Sequence, residues 1–316
     1  MHVPDGFIDV KTAVTASALA VAGLGVALRQ VRRELPARRV PLLGLGAAFV
    51  FAAQMVNFPV VGGTSGHLVG GTLIAALIGV PAAVVVMTTV LISQCFLFAD
   101  GGVTALGVNV FNMAVLAPAV GYVIYRGVAR FMPGLRGQLT GIMFAGWCST
   151  VAAAIACAGQ LAWSKTVAWS AAFPAMAGIH LLIGLGEGAI SALVFFAVAK
   201  ARPEIVSSTP TGVVSGFVGY GLLATLGVVL FAAPFACPWP DGLEAVATKL
   251  GFEHAATESI NAPMTGYLLP GIGSSGVATA LAGISGALIV FGLAILLSRL
   301  LVKPRSTSEE AEISQT

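Results

Sequence analysis

The sequence predicts an all-α, polytopic bundle of membrane-spanning helices, on three observations. Hydrophobic residues make up 57% of the 316 positions and charged residues only 9%, against about 25% charged in a soluble domain. The apolar residues run in nine segments, and a bilayer crossing takes roughly 20 residues of helix. The basic residues cluster between those segments on one side of the membrane, as topology demands. Mean hydropathy is +0.95. The net charge of +3 is therefore a topology signal. It gives no reason to expect nucleic acid, and the expected surroundings are lipid.

The segments are 12–31, 40–57, 68–80, 82–98, 106–125, 139–160, 174–199, 212–234 and 276–301. The third is short and Pro81 follows it, so 68–98 reads either as two tilted short helices or as one broken helix. Arg29, Arg32, Arg33, Arg38 and Arg39 follow the first span, which puts the N-terminus outside. Alternation then places Arg126, Arg130 and Arg136 inside, then Lys200 and Arg202, then Arg299, Lys303 and Arg305. Thirteen of the 16 basic residues fall inside, leaving Lys11, Lys165 and Lys249 outside. The expectation is nine spans, C-terminus cytoplasmic, in a multi-pass protein of the cell membrane.

Two parts separate. Residues 1–205 hold seven spans. Residues 206–305 begin in a polar linker (200–211) and form a two-helix hairpin with a long outer loop. Within that loop Asp241–Leu250 reads as a short amphipathic helix after Pro240. Residues 306–316 are polar and read as a disordered tail. Cys95, Cys148, Cys157 and Cys237 form no Cys-x-x-Cys pair and read as small apolar residues.

The first seven residues, Met1-His2-Val3-Pro4-Asp5-Gly6-Phe7, do not resemble a signal peptide, since the first basic residue is Lys11. The N-terminus is therefore expected to be retained, with a free amine. The Met1 amine, the His2 amide nitrogen and the His2 Nδ1 can close a five- and a six-membered ring on one ion. Deprotonating the amide takes an ion high in the Irving–Williams order, Ni²⁺ or Cu²⁺, and four nitrogens suit a square plane. Pro4-Asp5-Gly6 is a turn signature that folds the amine back toward the bundle. Read alone, these residues fit an ordinary start followed by an incidental histidine better than a chelate.

A glycine-rich outer loop, 57–71, holds His67 on the same side as His2. His67 can supply the fourth nitrogen, with Asn57, Thr64 and Ser65 orienting the rings. The alternative is a re-entrant loop with a surface histidine. His180 and Glu187 stand seven apart in the seventh span and share a helix face. They read either as a proton or ion relay or as a buried hydrogen-bonded pair. Gly44, Ala48 and Ala52 form a small-residue stripe that lets another helix approach closely. There is no Walker A motif, His-Glu-x-x-His, Gly-x-Ser-x-Gly or dinucleotide fingerprint, so no catalytic role is expected.

Residues 1–7, Asn-Phe-Pro at 57–59, Gly-Thr-Ser-Gly-His-Leu-Val-Gly-Gly at 63–71 and His-Leu-Leu-Ile-Gly-Leu-Gly-Glu-Gly at 180–188 together resemble the CbiM/NikM family. These are substrate-binding components of energy-coupling factor (ECF) transporters for cobalt and nickel. Pro240-Asp241-Gly242-Leu243-Glu244 resembles the PDGLE segment of the NikN-type module. The resemblance implies a metal held as transported substrate by Met1, His2 and His67, and docking of a transmembrane coupling subunit at Gly44, Ala48 and Ala52. It also implies ATPase subunits on separate chains. Nickel is preferred over cobalt by the planar donor set and the fused PDGLE module. The rival reading is an ion-coupled secondary carrier or intramembrane enzyme using His180 and Glu187. The binding-component reading expects metal affinity to survive Glu187→Gln.

Overall fold

The computed structural model describes residues 1–206, 215–257 and 259–302. The expected tail 306–316, Lys303, Arg305 and linker residues 207–211 lie outside the described residues.

Helix α1 (Val10–Glu34) starts at Asp9, whose side chain accepts a hydrogen bond from the Thr12 amide at 2.9 Å, satisfying an orphan donor. Its Ala16, Ala20 and Ala27 are buried, while Val14, Leu19, Val21 and Val26 are exposed, the apolar exterior expected toward lipid. Helix α2 (Val40–Gln54) is buried on nearly all sides. A hairpin follows, strands β1 (Phe58–Val60) and β2 (Thr64–Gly66), with Phe58 opposite Gly66. Gly62 (φ +100°) and Gly63 (φ +77°) make its turn, a conformation that side chains resist.

Helix α3 (Gly71–Ile78) is only 8 residues long, about 12 Å at 1.5 Å per residue. Gly79 breaks the chain with φ +93°, and α4 (Val80–Phe98) carries Pro81 in its first turn. The 68–98 stretch is therefore two helices. Helix α5 (Leu106–Phe131) contains a π-helical stretch, Val110–Leu116. Pro118 lies just beyond and lacks an amide to donate, which loosens the helical ladder there. Helices α6 (Leu135–Trp163) and α7 (Trp169–Ala201) pack closely through glycine. A Cβ on Gly188 would stand 2.3 Å from the Met143 carbonyl oxygen. The C-terminal hairpin is α8 (Ser215–Phe231) and α10 (Ser275–Leu301), with α9 (Gly242–Leu250) in its outer loop.

Among the described residues a helix lies within each of the nine expected segments. Among the described residues seven helices are long and apolar enough to cross a membrane. The two that fall short are α2, with 15 residues, and α3. Basic residues close the last turns of α1, α5, α7 and α10, where the helix dipole also favours them.

The α2 stripe is placed differently from the expectation. A Cβ on Gly44 would lie 2.7 Å from Ile295 and 3.2 Å from Phe291, both on α10, and Ala48 and Ala52 are fully buried. The chain's own C-terminal helix occupies the face assigned to a coupling subunit, because small residues accept whichever helix is tethered nearest. A separate subunit reaches Gly44, Ala48 and Ala52 only if α10 leaves. One hydrophobic core joins Met1, Val3 and Phe7 with bundle residues such as Phe51 and with Leu243, Val246 and Met264 of the outer loop. The N-terminus therefore sits inside the protein, beneath the C-terminal module.

Gly188→Ala tests the α6–α7 contact. Ala is the better helix former by about 1 kcal/mol, so an uncrowded site would be stabilised. The clash with backbone predicts the opposite sign, a loss of about 1–3 kcal/mol, read as a lower thermal midpoint in detergent. An unchanged or raised midpoint would contradict the packing.

Candidate metal centre

The N-terminal segment is threaded into the bundle by its own polar groups. The Val3 amide donates to Asn109 Oδ1 at 2.8 Å, and Asn109 Nδ2 donates back to the Val3 carbonyl at 3.1 Å. The Gly102 amide donates to the same carbonyl. The Asp5 carboxylate accepts from the amides of Val103 and Thr104 and from the Thr104 hydroxyl. Burial pushes the Asp5 carboxyl up, but the donors from Ser259, Thr104 and Val103 outweigh it and hold it below its usual range. Gly6 (φ +89°) has no room for a side chain, since a Cβ would overlap the Ala255 carbonyl oxygen. The expected Pro-Asp-Gly turn thus delivers Met1 inward, where it is 6% exposed.

His67 is delivered from the opposite direction. Glu187 on α7 accepts from the amides of Val69 (2.5 Å) and Gly70 (3.0 Å). Gln54 Nε2 donates to the Val69 carbonyl at 2.9 Å. These contacts press the loop against α7, where a Cβ on Gly66 would meet Ile183 at 2.7 Å. His67 Nδ1 faces the Leu68 carbonyl at 3.1 Å. A carbonyl only accepts, so Nδ1 carries the proton and Nε2 keeps its lone pair. That Nε2 lies 2.7 Å from the Met1 amino nitrogen, across 66 residues of sequence.

The third wall is the C-terminal loop. Asp241 Oδ2 stands 2.8 Å from the same Met1 nitrogen. Asp241 also caps α9, accepting from the amides of Leu243 and Glu244, while Glu244 reaches back to the Asp241 amide. This capping box fixes the carboxylate in place. The Ser65 amide and the Thr64 hydroxyl donate to the Pro240 carbonyl, and the Ser65 hydroxyl donates to the Trp239 carbonyl. The Asn57 carbonyl accepts from the Cys237 amide. Asn57, Thr64 and Ser65 were expected to orient the imidazoles. Their recorded bonds instead tie the C-terminal loop to the β-hairpin, and Leu68 O orients His67.

His2 is only partly assembled. Its ring stacks on His67 with centroids 5.4 Å apart. Its Nδ1 faces Asp100 Oδ1 at 3.1 Å, and Asp100 also accepts the Tyr267 hydroxyl from the outer loop. A chelate through Nδ1 needs that nitrogen turned from Asp100. Among the described residues no hydrogen bond of normal geometry reaches His2 Nε2.

Electrostatics suit a cation. Burial, then the neighbouring amine and His2, push the His67 imidazole down to about 3, which keeps its lone pair free. Burial works against the Asp241 charge, but the Met1 ammonium, the Glu244 amide and His67 outweigh it and hold the carboxyl well below its usual range. Among the described residues no three His, Cys, Asp or Glu side chains are grouped to hold a metal. The planar chelate needs no such group, since two of its donors are backbone nitrogens. Two nitrogens bound at about 2 Å at right angles stand about 2.8 Å apart, and Met1 N and His67 Nε2 are already 2.7 Å apart.

His180 and Glu187 are both buried on one face of α7 but do not pair. His180 Nδ1 bonds the Met176 carbonyl at 2.8 Å, and Glu187 holds the His67 loop. Sequence reasoning missed the placing roles of Glu187 and Asn109, although polar residues within apolar spans were the available signal. Nothing local marked Asp100, Tyr267 or Asp241 as site residues.

The geometry revises the expectation for Glu187→Gln. A glutamine oxygen can accept from one of the two amides, but its NH₂ faces the other as a second donor. Nickel affinity is expected to fall by about 10-fold, measured by equilibrium dialysis, and unchanged affinity would contradict the positioning role. Asp241→Asn keeps the cap's shape but removes the charge beside the amine. It is expected to speed protease cleavage in the 233–257 loop, whereas unchanged cleavage would contradict the ion pair as the latch.

Comparison with known proteins bears on both halves. Residues 2–205 match the CbiM family, described as the cobalt uptake substrate-specific transmembrane region. Residues 215–303 match the PDGLE domain. A protein of Archaeoglobus fulgidus carrying the provisional name fused nickel transport protein NikMN is 36% identical over 95% of this chain and 98% of its own length. The cobalt transport protein CbiM of Kyrpidia tusciae is 29% identical over 66% of this chain and 86% of its own. A crystal structure described as a truncated transition metal transporter superposes with a TM-score of 0.59 at 34% identity, covering 64% of this chain and 99% of that one. The chain is a multi-pass membrane protein that belongs to the CbiM family, with a PDGLE domain fused at its C-terminal end.

Proposed function

We propose that the chain is the substrate-binding component of an ECF-type importer for Ni²⁺, with Co²⁺ as second substrate. The ion is held in a square plane by the Met1 amine, the His2 amide and Nδ1 nitrogens, and His67 Nε2. The observation that carries this reading is the buried 2.7 Å approach of the Met1 nitrogen to His67 Nε2. Two independently anchored segments meet there, and that separation matches one edge of a nitrogen square. The family assignment and the relatives' names, nickel and cobalt transport proteins, support metal transport.

Nickel is favoured because only a strongly polarising ion drives amide deprotonation. His2 completes the plane by exchanging Asp100 for the metal. The loop that carries Asp241 lies over the site as a lid, since it is tied to Asn57, Thr64 and Ser65 on one side and to Asp5 and Phe7 on the other. The ion enters when that lid lifts. Energy comes from partner chains, a transmembrane coupling subunit and cytoplasmic ATPases.

Two measurements test the proposal. Extending the N-terminus by Gly-Ser converts the Met1 amine to an amide, and high-affinity Ni²⁺ binding is expected to disappear; retained binding sinks the chelate. Uptake of radioactive nickel in cells is expected to require co-expressed coupling and ATPase subunits. Robust uptake by the chain alone would instead favour the secondary carrier.

A further inference from the structure

At the end of the bundle that the basic residues mark as cytoplasmic, the short helix α3 stops at Gly79. Its last turn borders a cavity of about 790 Å³. Arg39, just ahead of α2, and Arg126 and Arg130, in the last two turns of α5, line the same cavity. Arg126 and Arg130 stand four apart, so they share one face of their helix. Among the described residues no Asp or Glu lines the cavity, and none of the three arginines belongs to an ion pair. The connecting residues 207–214 carry no charge in the sequence. Three like charges therefore border one space without a carboxylate to offset them. Arginine is also the side chain best shaped to hold a phosphate group.

The polar cavity continues into an apolar one. Leu77, Ile78 and Ile205 line both it and a second space of about 680 Å³. That second space follows the seam between the two domains, with Leu45 and Phe49 of α2 and Phe217 and Gly221 of α8 among its walls. A Cβ on Gly221 would come within 2.7 Å of Leu45, so the walls meet there. Among the described residues the only charged side chain lining it is Arg202, which pairs with Glu204. Tyr220 and Ala224 line it and are exposed, so the groove opens on the lipid-facing side.

We propose that the two spaces together hold one anionic phospholipid of the inner leaflet. Its phosphodiester sits among Arg39, Arg126 and Arg130, and an acyl chain lies in the apolar groove. A free anion would use the arginines and leave the groove empty. A zwitterionic lipid would use the groove but bring its own cation to the arginines. An anionic lipid satisfies both, and basic pockets between spanning helices on the cytoplasmic side suit such headgroups. The acyl chain fills the seam between α2 and α8, so the lipid helps hold the PDGLE domain on the CbiM part. The site lies at the opposite end of α3 from the His67 loop and stands independently of the metal reading.

The test uses the full chain in detergent, stripped of lipid and titrated with phosphatidylglycerol, phosphatidylcholine or inorganic phosphate. Native mass spectrometry counts bound lipid, and the thermal midpoint is followed alongside. Phosphatidylglycerol is expected to bind at least about 10-fold more tightly than phosphatidylcholine and to raise the midpoint, which inorganic phosphate leaves in place. Arg39→Gln, Arg126→Gln and Arg130→Gln are each expected to weaken phosphatidylglycerol binding about five-fold. Lys200→Gln, at the same end of the bundle but outside the cavity, is expected to leave it intact. Ala224→Phe fills the groove and is expected to cost about 10-fold, equal to roughly two methylenes left unburied. Equal binding of the two lipids overturns the site, as does full binding after loss of all three arginines. So does a loss with Lys200→Gln as large as with the cavity arginines. A midpoint shift with inorganic phosphate equal to that with lipid would make the occupant a free anion. A dimer in place of the lipid adduct would make it a second copy. Lipid binding seen only after removal of residues 306–316, which carry Glu309, Glu310 and Glu312, would make it the chain's own tail. Each of these three results overturns the proposal.

Discussion

A chain's amino group cannot be buried in a membrane protein without partners. An unpaired buried ammonium costs several kcal/mol, yet Met1 is 6% exposed. Much of the outer half of the molecule answers that constraint. Asp241 supplies the opposite charge and His67 supplies a lone pair. Asn109 and Asp5 hold the segment that carries the amine, and Glu187 holds the loop that carries His67. Each is a polar residue kept in or beside apolar surroundings, and each has its hydrogen-bond partners.

The same interaction joins the two halves of the chain. The PDGLE domain touches the CbiM part in two places of different character. Along α2 the contact is apolar, with α10 packed where the small residues lie. Over the site apolar contacts such as Phe7 on Phe252 are joined by polar ones, through backbone carbonyls, the ion pair and the short bridge between Asp5 and Thr257. Apolar helix packing persists when ions come and go, whereas the ion pair shares its amine with the proposed cargo. On the proposed reading, the apolar contact along α2 anchors the hairpin and the ion pair is the contact that a bound metal would disturb.

The helices were legible because hydropathy is a local property. Each expected segment holds a helix among the described residues, and the break at Gly79 depended on a backbone conformation that Pro81 hinted at. Donor chemistry alone grouped Met1, His2 and His67, and the structure brings the Met1 nitrogen and the two rings beside one another. The hydroxyls of Thr64 and Ser65 were misassigned for a physical reason. A hydroxyl bonds whatever docks beside it, and here that is a carbonyl some 175 residues away. The small-residue stripe misled in the same way, since it specifies close approach but not which helix approaches. Asp241 was visible as part of a motif, yet its place on the Met1 amine follows only from the docking of a loop.

The metal's own geometry is the most direct test. X-ray absorption at the nickel edge, on the nickel-loaded chain in detergent, reports donor type and planarity together. A square-planar spectrum with four nitrogen donors and no sulfur agrees with Met1 binding through its amine. Six oxygen or nitrogen donors, or a sulfur neighbour from the Met1 thioether, would contradict the N-terminal chelate.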